Sequence, residues 1–236
     1  MTLIAQHRGY TKNGLRENTI RALKEGFQLG AEMAEFDVHI TKDDHWILHH
    51  DKTILKKYAI ADLTSDKIDK ISLENNYEIS YLDDVFKEFK SEILNVECKS
   101  HTEESGKKLA KYLLYKDVLD QVNVSSFYKE PLMGLRKTSS HIKISYLYFF
   151  WFSNYWKILN KKINLFSVNP YYKFLTQRRV NSIAKENIEI HTWTINSTQT
   201  IQKMIHLGVD VIITDDPKHA INIREASYKT SLKNNE

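Results

Sequence analysis

The stretch LIAQHRGYTKNGLRENTIRALKEGFQLGAEMAEFDVHI, residues 3–40, contains a complete strand–helix–strand unit. Short apolar runs at Leu3–His7 and Met33–Ile40 are typical of buried strands. Between them, Thr19–Leu29 carries apolar residues at spacings of three and four, which predicts a helix with Asn18 as its N-cap. Two strands joined by a helix are expected to lie parallel in one sheet.

The same alternation of strand and helix continues along the chain. Further strands are predicted at Trp46–His50, Ile93–Lys99, Val122–Phe127, Ile142–Phe149, Leu165–Asn169, Ile188–Ile195 and Val209–Thr214. Further helices are predicted at Tyr81–Phe89, Glu103–Tyr115, Leu132–Thr138, Asn154–Leu159, Gln177–Glu186, Thr198–His206 and His219–Ala226. The fold class is therefore α/β, and we predict a single (β/α)8 TIM barrel, although nine predicted strands are one too many. A doubly wound open sheet is the alternative, but Gly9–Gly14 lacks its phosphate-binding glycine spacing.

Length and composition favour one domain. The chain has 236 residues, 42% of them hydrophobic, and a barrel of this kind typically needs about 250 residues. Seven glycines, three prolines and no Ser-rich or Gly-rich stretch leave no evident linker. We predict a barrel over residues 1–226, followed by a polar C-terminal tail over residues 227–236.

Charge and cysteine content limit the partners and the compartment. The net charge is +4, but basic and acidic residues are interspersed, which disfavours a nucleic-acid partner. Cys98 is the single cysteine and the N-terminus has no signal-peptide pattern, so we predict a cytoplasmic protein. The most apolar stretch, Ile144–Phe152, is shorter than the ~20 residues that span a bilayer, so no stable membrane anchor is expected. The oligomeric state stays open.

Paired carboxylates indicate a metal site. Residues i and i+2 of a strand share a face, so Glu35 and Asp37 project together, as do Glu97 and Lys99 on a later strand. Adjacent carboxylates inside a barrel repel each other unless a cation lies between them, and oxygen ligands suit Ca²⁺ or Mg²⁺ better than zinc. The alternative is that Glu35 and Asp37 lie beyond the strand end in surface salt bridges.

Two histidines and one arginine stand at predicted strand ends. His7 precedes Arg8, whose guanidinium can bind a phosphate through two nitrogens. His49 and His50 are adjacent, so only one of them can face the same site. A histidine in such a place is often structural. Together with the carboxylates, however, these residues supply the proton-transfer groups and the cation that phosphate-ester cleavage requires.

Two further features have competing interpretations. Cys98 lies between Glu97 and Lys99, but strand alternation turns it toward the helices, where a buried thiol is ordinary. The segment 145–156 has eight aromatic residues in twelve positions. We assign Tyr146 and Tyr148 to the core. Some of Phe149–Phe152 and Trp156 could instead form an exposed lip for an acyl chain.

The ordered set of motifs resembles the glycerophosphodiester phosphodiesterase family, a branch of the phospholipase-C-like phosphodiesterase barrels. The matching pieces are His7-Arg8-Gly9, Glu17-Asn18-Thr19, Glu35-Phe36-Asp37-Val38, His50-Asp51, Glu97-Cys98-Lys99, Trp193-Thr194-Ile195-Asn196 and Gly208–Pro217. The resemblance covers nearly the whole chain and implies a barrel with its site at the carboxyl ends of the strands. If the chain folds as this family does, the ninth predicted strand, Trp46–His50, is a short extra strand outside the barrel count.

The resemblance also implies a reaction and roles for the residues. The reaction is metal-dependent hydrolysis of a glycerophosphodiester to sn-glycerol 3-phosphate and an alcohol, by acid–base catalysis with His7 and His50. One divalent cation, Ca²⁺ or Mg²⁺, would be held by Glu35, Asp37 and Glu97. The substrate would meet Arg8, Lys99 and Trp193, with Glu17 supporting the metal or a neighbouring side chain.

One departure from the family pattern concerns specificity. Lys52–Lys57 lacks the Arg-Thr pair that often follows the His-Asp motif, which affects the mouth of the site more than its chemistry. Two alternatives therefore stay open. One is a lysophospholipase D that uses the same site, and the other is a catalytically silent binding barrel.

Overall fold

A computed structural model describes residues 1–149 and 155–233, with side chains as far as residue 229. Its strands are β1 (Leu3–His7), β2 (Met33–Ile40), β3 (Trp46–Leu48), β4 (Thr53–Ile54), β5 (Tyr58–Ala59), β6 (Ser80–Tyr81), β7 (Ile93–Cys98), β8 (Val122–Ser126), β9 (Lys143–Tyr148), β10 (Ser167–Pro170), β11 (Glu189–Thr192) and β12 (Val211–Thr214). Its α-helices are α1 (Ile20–Gln28), α2 (Ser65–Glu74), α3 (Leu82–Glu88), α4 (Glu103–Lys116), α5 (Lys129–Thr138), α6 (Tyr155–Ile163), α7 (Gln177–Ala184), α8 (Thr198–Leu207) and α9 (Pro217–Lys233).

Eight of these strands form a closed parallel barrel. Their order is β1-β12-β11-β10-β9-β8-β7-β2, and β1 closes the ring by pairing with β2. Ala5 aligns with Met33 across that closure and with Ile213 on the other side. The predicted (β/α)8 TIM barrel is confirmed.

The ninth predicted strand is an excursion beside the barrel. β3 runs antiparallel to β2, with Val38 opposite Leu48, and β6 pairs antiparallel to β3. The residues between them form the β4–β5 hairpin and α2 around a small apolar cluster of Ile47, Ile54 and Ile68. The strand ends at Leu48 and not at His50, so both histidines lie in the loop that follows it.

The main apolar core lies between the strands and the surrounding helices. Phe36 and Cys98, which alternate with the carboxylates, are fully buried in that layer. The inside of the barrel is divided into two halves. Ala5, Met33 and Ile213 belong to an apolar cluster on one side. The opposite side carries buried polar residues, namely Asn95, Asn123, Ser125, Ser145, Ser167, Asn169 and His191.

The last helix ties the C-terminal region to the start of the chain. A guanidinium nitrogen of Arg224 donates to the Thr2 carbonyl at 2.9 Å, and the Thr2 amide donates to the Tyr228 hydroxyl at 3.0 Å. Helix α9 thus continues past Ala226, where the predicted helix ended, and the division into barrel and tail stays a prediction. Among the described residues, no helix combines the length and apolar character that a membrane span needs.

Candidate active site

A cavity of about 300 Å³ opens at the carboxyl ends of the barrel strands. Its walls include seven of the nine residues predicted for the site, which are His7, Arg8, Glu35, His50, Glu97, Lys99 and Trp193. Asp37 is fully buried beside them, and Glu17 lies outside the cavity wall. The carboxyl end of the strands is where barrel enzymes place their chemistry.

Three carboxylates converge in the wall of the cavity. Glu35 and Asp37 share one face of β2, and Glu97 lies beside Asp37 on the adjacent strand β7. One oxygen from each lies within 4.8 Å of the others, and all three residues are buried. Glu35 Oε2 has no hydrogen-bond partner among the described residues. A cluster of hard oxygen donors with a free buried oxygen fits a divalent cation such as Ca²⁺ or Mg²⁺. The surface salt-bridge alternative for Glu35 and Asp37 is wrong.

Two cations already face these carboxylates. Lys99 Nζ donates to Glu97 Oε1 at 2.7 Å and lies 3.2 Å from Asp37 Oδ1. Arg8 Nε lies 3.0 Å from Asp37 Oδ2. The two positive charges therefore partly offset the negative charges of the three carboxylates. The same contacts hold Arg8 and Lys99 at the cavity.

Burial and mutual repulsion shift the pKa values of the cluster in different directions. Burial, followed by repulsion from Asp37, raises the pKa of Glu97 to about 7, and the same causes raise that of Glu35 well above its ordinary value. Burial also acts to raise the pKa of Asp37, but the charges of Lys99 and Arg8 outweigh it and lower that pKa. Asp37 is thus the member of the three whose charged form is favoured.

The raised pKa of Glu97 predicts a pH-dependent stability for the metal-free protein. Between pH 4.5, near the ordinary pKa, and about pH 7, the folded protein binds more protons than the unfolded chain. The free energy of unfolding should therefore fall as pH rises through that window. One pKa unit corresponds to about 1.4 kcal/mol, and each kcal/mol to roughly 2–4 °C of Tm at this chain length.

Thermal melting in chelator measures this effect. Glu97→Gln removes the titrating group and keeps an oxygen toward Lys99, so we expect its Tm to depend less on pH than that of the wild type. Parallel melting curves for the two proteins across the window would contradict the prediction.

Local backbone geometry places Arg8 and Asp37. Arg8 adopts φ +55° and Gly9 adopts φ +87° in the turn after β1. A Cβ on Gly9 would lie 2.6 Å from Ala22 Cβ, so the turn closes tightly against α1. Asn18, predicted as the N-cap of that helix, instead donates from Nδ2 to Asp37 Oδ2 at 3.0 Å. Its Oδ1 accepts from the Asp37 amide, also at 3.0 Å.

The N-cap of α1 is Thr19, whose Oγ1 accepts from the Ala22 amide at 3.3 Å. The sequence prediction was wrong by one residue because Asn18, with φ +56°, is committed to the carboxylate. Asn18 is therefore a positioning residue for Asp37. Its place in the Glu17-Asn18-Thr19 motif was the available signal.

Each candidate histidine is oriented by a carboxylate. His7 Nδ1 lies 2.7 Å from Asp215 Oδ1, which turns His7 Nε2 toward Glu35 Oε2 at 4.0 Å. His50 Nδ1 lies 2.9 Å from Asp51 Oδ1, and His50 lines the cavity. Asp215 is a functional candidate that the loop-like sequence Asp-Asp-Pro concealed, although it directly follows the last barrel strand.

His49 is not among the residues that line the cavity, although strand alternation is not the cause, because both histidines lie in the loop after β3. Its Nε2 lies 2.9 Å from the Tyr77 hydroxyl, and its Nδ1 lies 2.7 Å from the Asp51 carbonyl. Burial lowers its pKa, which favours a neutral structural imidazole. Cys98 is fully buried on the helix side, and burial raises its thiol pKa to about 12, which is unsuited to a nucleophile.

Glu17 contacts Arg8 and lies outside the metal cluster. Glu17 Oε1 lies 3.4 Å from Arg8 Nη1, and the Glu17 side chain is 45% exposed. Of the two supporting roles considered for Glu17, the structure favours the one toward a neighbouring side chain. Arg8 is thereby anchored from two sides, by Glu17 and by Asp37.

An aromatic wall, formed by Phe127, Phe149 and Trp193, lines part of the cavity, and Tyr171 packs against it. Phe149 and Trp193 meet edge to face with ring centroids 4.8 Å apart, and Phe127 lies 5.3 Å from Phe149. Trp193 is fixed by a hydrogen bond from Nε1 to the Asn169 carbonyl at 2.8 Å. Phe149 is 48% exposed, so this wall reaches the rim of the cavity.

The other aromatic residues of the segment 145–156 lie partly in the core and partly outside the described residues. Tyr146 and Tyr148 belong to the core as predicted. Trp156 is 1% exposed, so its assignment to an exposed lip is wrong, because its helix packs it against the barrel strands. The lip predicted at Phe150–Phe152 lies outside the described residues.

A closed parallel barrel carries buried carboxylates, basic side chains and two oriented histidines at the carboxyl ends of its strands. These features define a class, namely barrel enzymes whose site can hold a divalent cation.

Comparisons with known proteins narrow that class. The model of the glycerophosphoryl diester phosphodiesterase family matches residues 7–219. A glycerophosphodiester phosphodiesterase of Caldanaerobacter subterraneus is 31% identical over 94% of this chain and 97% of its own length. The chain therefore belongs to the glycerophosphoryl diester phosphodiesterase family, as its motifs indicated.

Solved structures agree with the fold. A glycerophosphodiester phosphodiesterase of Parabacteroides distasonis is 26% identical, with a TM-score of 0.80 over 96% of this chain and 98% of that one. A phosphodiesterase of Oleispira antarctica, solved with the product sn-glycerol-3-phosphate, is 19% identical, with a TM-score of 0.80 over 94% of this chain and 96% of that one. At that identity the second likeness concerns the fold alone.

Proposed function

We propose that this protein hydrolyses glycerophosphodiesters to sn-glycerol 3-phosphate and an alcohol. The observation that carries the proposal is one cavity that brings together three buried carboxylates, two basic side chains and two histidines. The name of the Caldanaerobacter subterraneus relative, a glycerophosphodiester phosphodiesterase, is in keeping with that reaction. We further propose that the protein works in the cytoplasm on small molecules, without a nucleic-acid partner or a stable membrane anchor.

The metal ligands are Glu35, Asp37 and Glu97. A divalent cation held there, Ca²⁺ or Mg²⁺, would supply a Lewis acid that lowers the pKa of the glycerol 2-hydroxyl. Glu35 Oε2 and Asp37 Oδ1 are both buried without a hydrogen-bond partner among the described residues. Asp37 Oδ1 lies 3.2 Å from Lys99 Nζ, whereas Glu35 Oε2 lies 4.0 Å from His7 Nε2, so Glu35 Oε2 is the more available ligand atom of the two.

The two histidines divide the proton transfers. His7 Nε2 faces Glu35, so His7 lies on the metal side of the cavity and takes the proton from the 2-hydroxyl. His50 donates a proton to the leaving alcohol. The 2-oxygen attacks phosphorus, the bond to the alcohol breaks, and water then opens the cyclic phosphate with the proton transfers reversed. The opposite assignment of acid and base requires the same two residues.

The remaining side chains bind and orient the substrate. Arg8 and Lys99 neutralise the charge that grows on the phosphoryl oxygens, and both are already fixed by Asp37. Glu17 holds the far side of the Arg8 guanidinium. Trp193 offers a flat apolar surface to the glycerol carbons.

The aromatic wall favours a second candidate, cleavage of lysophospholipids by the same site. Phe127, Phe149 and Trp193 could accommodate an apolar chain at the rim. A catalytically silent barrel is disfavoured, because the carboxylates, both histidines and their orienting partners are all present.

Turnover of glycerophosphocholine, with sn-glycerol 3-phosphate as the measured product, tests the proposal. A chelator should lower turnover by at least about 10²-fold, since a Lewis acid contributes several kcal/mol to such a reaction. Added Ca²⁺ or Mg²⁺ should restore it, and the more effective ion identifies the metal.

Glu35→Gln should reproduce the loss without the chelator. It removes a ligand and one of three repelling buried charges, so the metal-free variant should melt no lower than the wild type. Glu189→Gln, at the other end of the barrel interior, is the matched control and should keep full activity. Full turnover in the chelator, or by Glu35→Gln, would overturn the metal-dependent mechanism.

A further inference from the structure

The floor of the cavity is polar and lies beside a metal ligand. Ser125 on β8 aligns with Glu97 on β7, and Asn95 lies two residues before Glu97 on the same face of β7. Ser125 and Asn95 both line the cavity, and each is 1% exposed. Side chains this deeply buried normally have all their polar atoms in hydrogen bonds.

Two polar atoms of this floor have no partner among the described residues. They are Ser125 Oγ and Asn95 Nδ2. The polar residues below them are joined in a chain in which Asn123 Nδ2 donates to Asn95 Oδ1 at 3.3 Å and Ser145 Oγ donates to Asn123 Oδ1 at 2.7 Å. The Asn95 amide is thus held by its oxygen, so that its unpaired nitrogen stays at the cavity floor.

The unpaired atoms match one kind of ligand group. An amide nitrogen donates, and a serine hydroxyl both donates and accepts, so the pair complements a group that also does both. A hydroxyl is such a group, whereas an ester or a methyl group is not. A buried polar atom without a partner destabilises the free protein, so a ligand that satisfies both atoms binds more tightly.

We propose that Ser125 and Asn95 form a subsite for the primary hydroxyl at glycerol C1 of the substrate. The inference rests on the proposed function, which places the 2-hydroxyl at the carboxylates. The C1 hydroxyl is one carbon away from it, and Ser125 is the strand neighbour of Glu97. The glycerol then enters first, with the leaving alcohol at the open mouth beside the aromatic wall.

This subsite separates the two candidate functions. A deacylated glycerophosphodiester brings a free C1 hydroxyl to the floor. A lysophospholipid acylated at that oxygen brings no donor and would bury an ester against Ser125. Ser125 is therefore a specificity-determining residue that selects deacylated substrates.

A pair of variants and a pair of substrates test the subsite. The substrates are glycerophosphocholine and its analogue in which hydrogen replaces the C1 hydroxyl. Ser125→Ala should lose about tenfold in kcat/KM on glycerophosphocholine, the effect of one lost hydrogen bond in a buried site. On the analogue, Ser125→Ala and the wild type should agree within about twofold, because the group that Ser125 binds is missing.

Ser126→Ala is the matched control. Ser126 is the next residue of β8 and is also buried, but its Oγ donates to the Cys98 carbonyl at 2.8 Å, away from the cavity. Ser126→Ala should therefore have the same ratio of kcat/KM values on the two substrates as the wild type. If Ser125→Ala folds poorly, Ser125→Cys replaces it, because a thiol is a weak hydrogen-bond donor of similar size. Ser125→Cys should also lower the ratio of kcat/KM on glycerophosphocholine to kcat/KM on the analogue.

The outcomes separate the subsite from the proposed function. Equal losses by Ser125→Ala on both substrates, or no loss on either, would overturn the subsite and leave the proposed function in place. Turnover of neither substrate by the metal-loaded wild type would overturn the proposed function and the subsite with it. Unequal losses, confined to the substrate with the C1 hydroxyl, support the subsite.

Discussion

A glycerophosphodiester whose 2-hydroxyl is replaced by hydrogen should be turned over at the background rate. In the proposed mechanism the 2-oxygen forms the new bond to phosphorus, so the analogue lacks the nucleophile itself and not merely a hydrogen bond. His7 then has no proton to remove, and the five-membered cyclic phosphate cannot form. Arg8 and Lys99 still face the phosphate, so binding should survive the loss of reaction.

Inhibition and turnover together measure this effect. The 2-deoxy analogue of glycerophosphocholine should compete with the natural compound while giving no product of its own. Phosphorus NMR of the wild-type reaction should show a transient cyclic phosphate. Rapid cleavage of the analogue would show that water is the nucleophile. The acid and base roles of His7 and His50 would then have to be reassigned.

Replacement of either cavity histidine should cost on the order of 10²–10⁴ in turnover, the usual range for a positioned proton-transfer group. His7→Ala removes the base held by Asp215, and His50→Ala removes the acid held by Asp51. Neither imidazole is part of the main apolar core, so both variants should stay folded. Initial rates on glycerophosphocholine, normalised to folded protein, provide the measurement.

His49→Ala is the internal control for this pair. The residue is adjacent to His50 in sequence, yet its ring bonds to Tyr77 and to the Asp51 carbonyl and does not line the cavity. We expect it to lose some stability and less than about tenfold in turnover, far below the effect of a proton-transfer group. An essential His49 beside a dispensable His50 would reverse the assignment of the two side chains.

The barrel was predictable because its signals are periodic. β1 and β2 have the bounds that their apolar runs predicted, and the i,i+2 rule put Glu35 and Asp37 on one face. In the excursion, β3 was predicted, but β4, β5, β6 and α2 were missed, because strands of two residues are too short for periodicity to register. Its helix is rich in lysine and aspartate and has few apolar residues.

Contacts between segments that are far apart in the chain could not be predicted from the sequence. Asp215 lies more than two hundred residues from His7, and only closure of the ring by β1 and β12 brings them together. Ser125 and Asn95 give no sequence signal, because a serine and an asparagine in strands are common on any polar surface. Asn18 was misassigned for a related reason, since a capping residue and a carboxylate anchor have the same local pattern.

The two faces of each barrel strand have different roles, and this difference affects how the protein can evolve. The largest cluster of buried apolar side chains lies in the layer between strands and helices, where Phe36, Val96 and Val124 are fully buried. The residues proposed to contact a substrate line the cavity at the carboxyl ends of the strands. Selection can therefore exchange inward residues such as Ser125 one at a time while the scaffold keeps its stability. New specificities can arise from this sequence by short mutational paths that never pass through an unfolded intermediate.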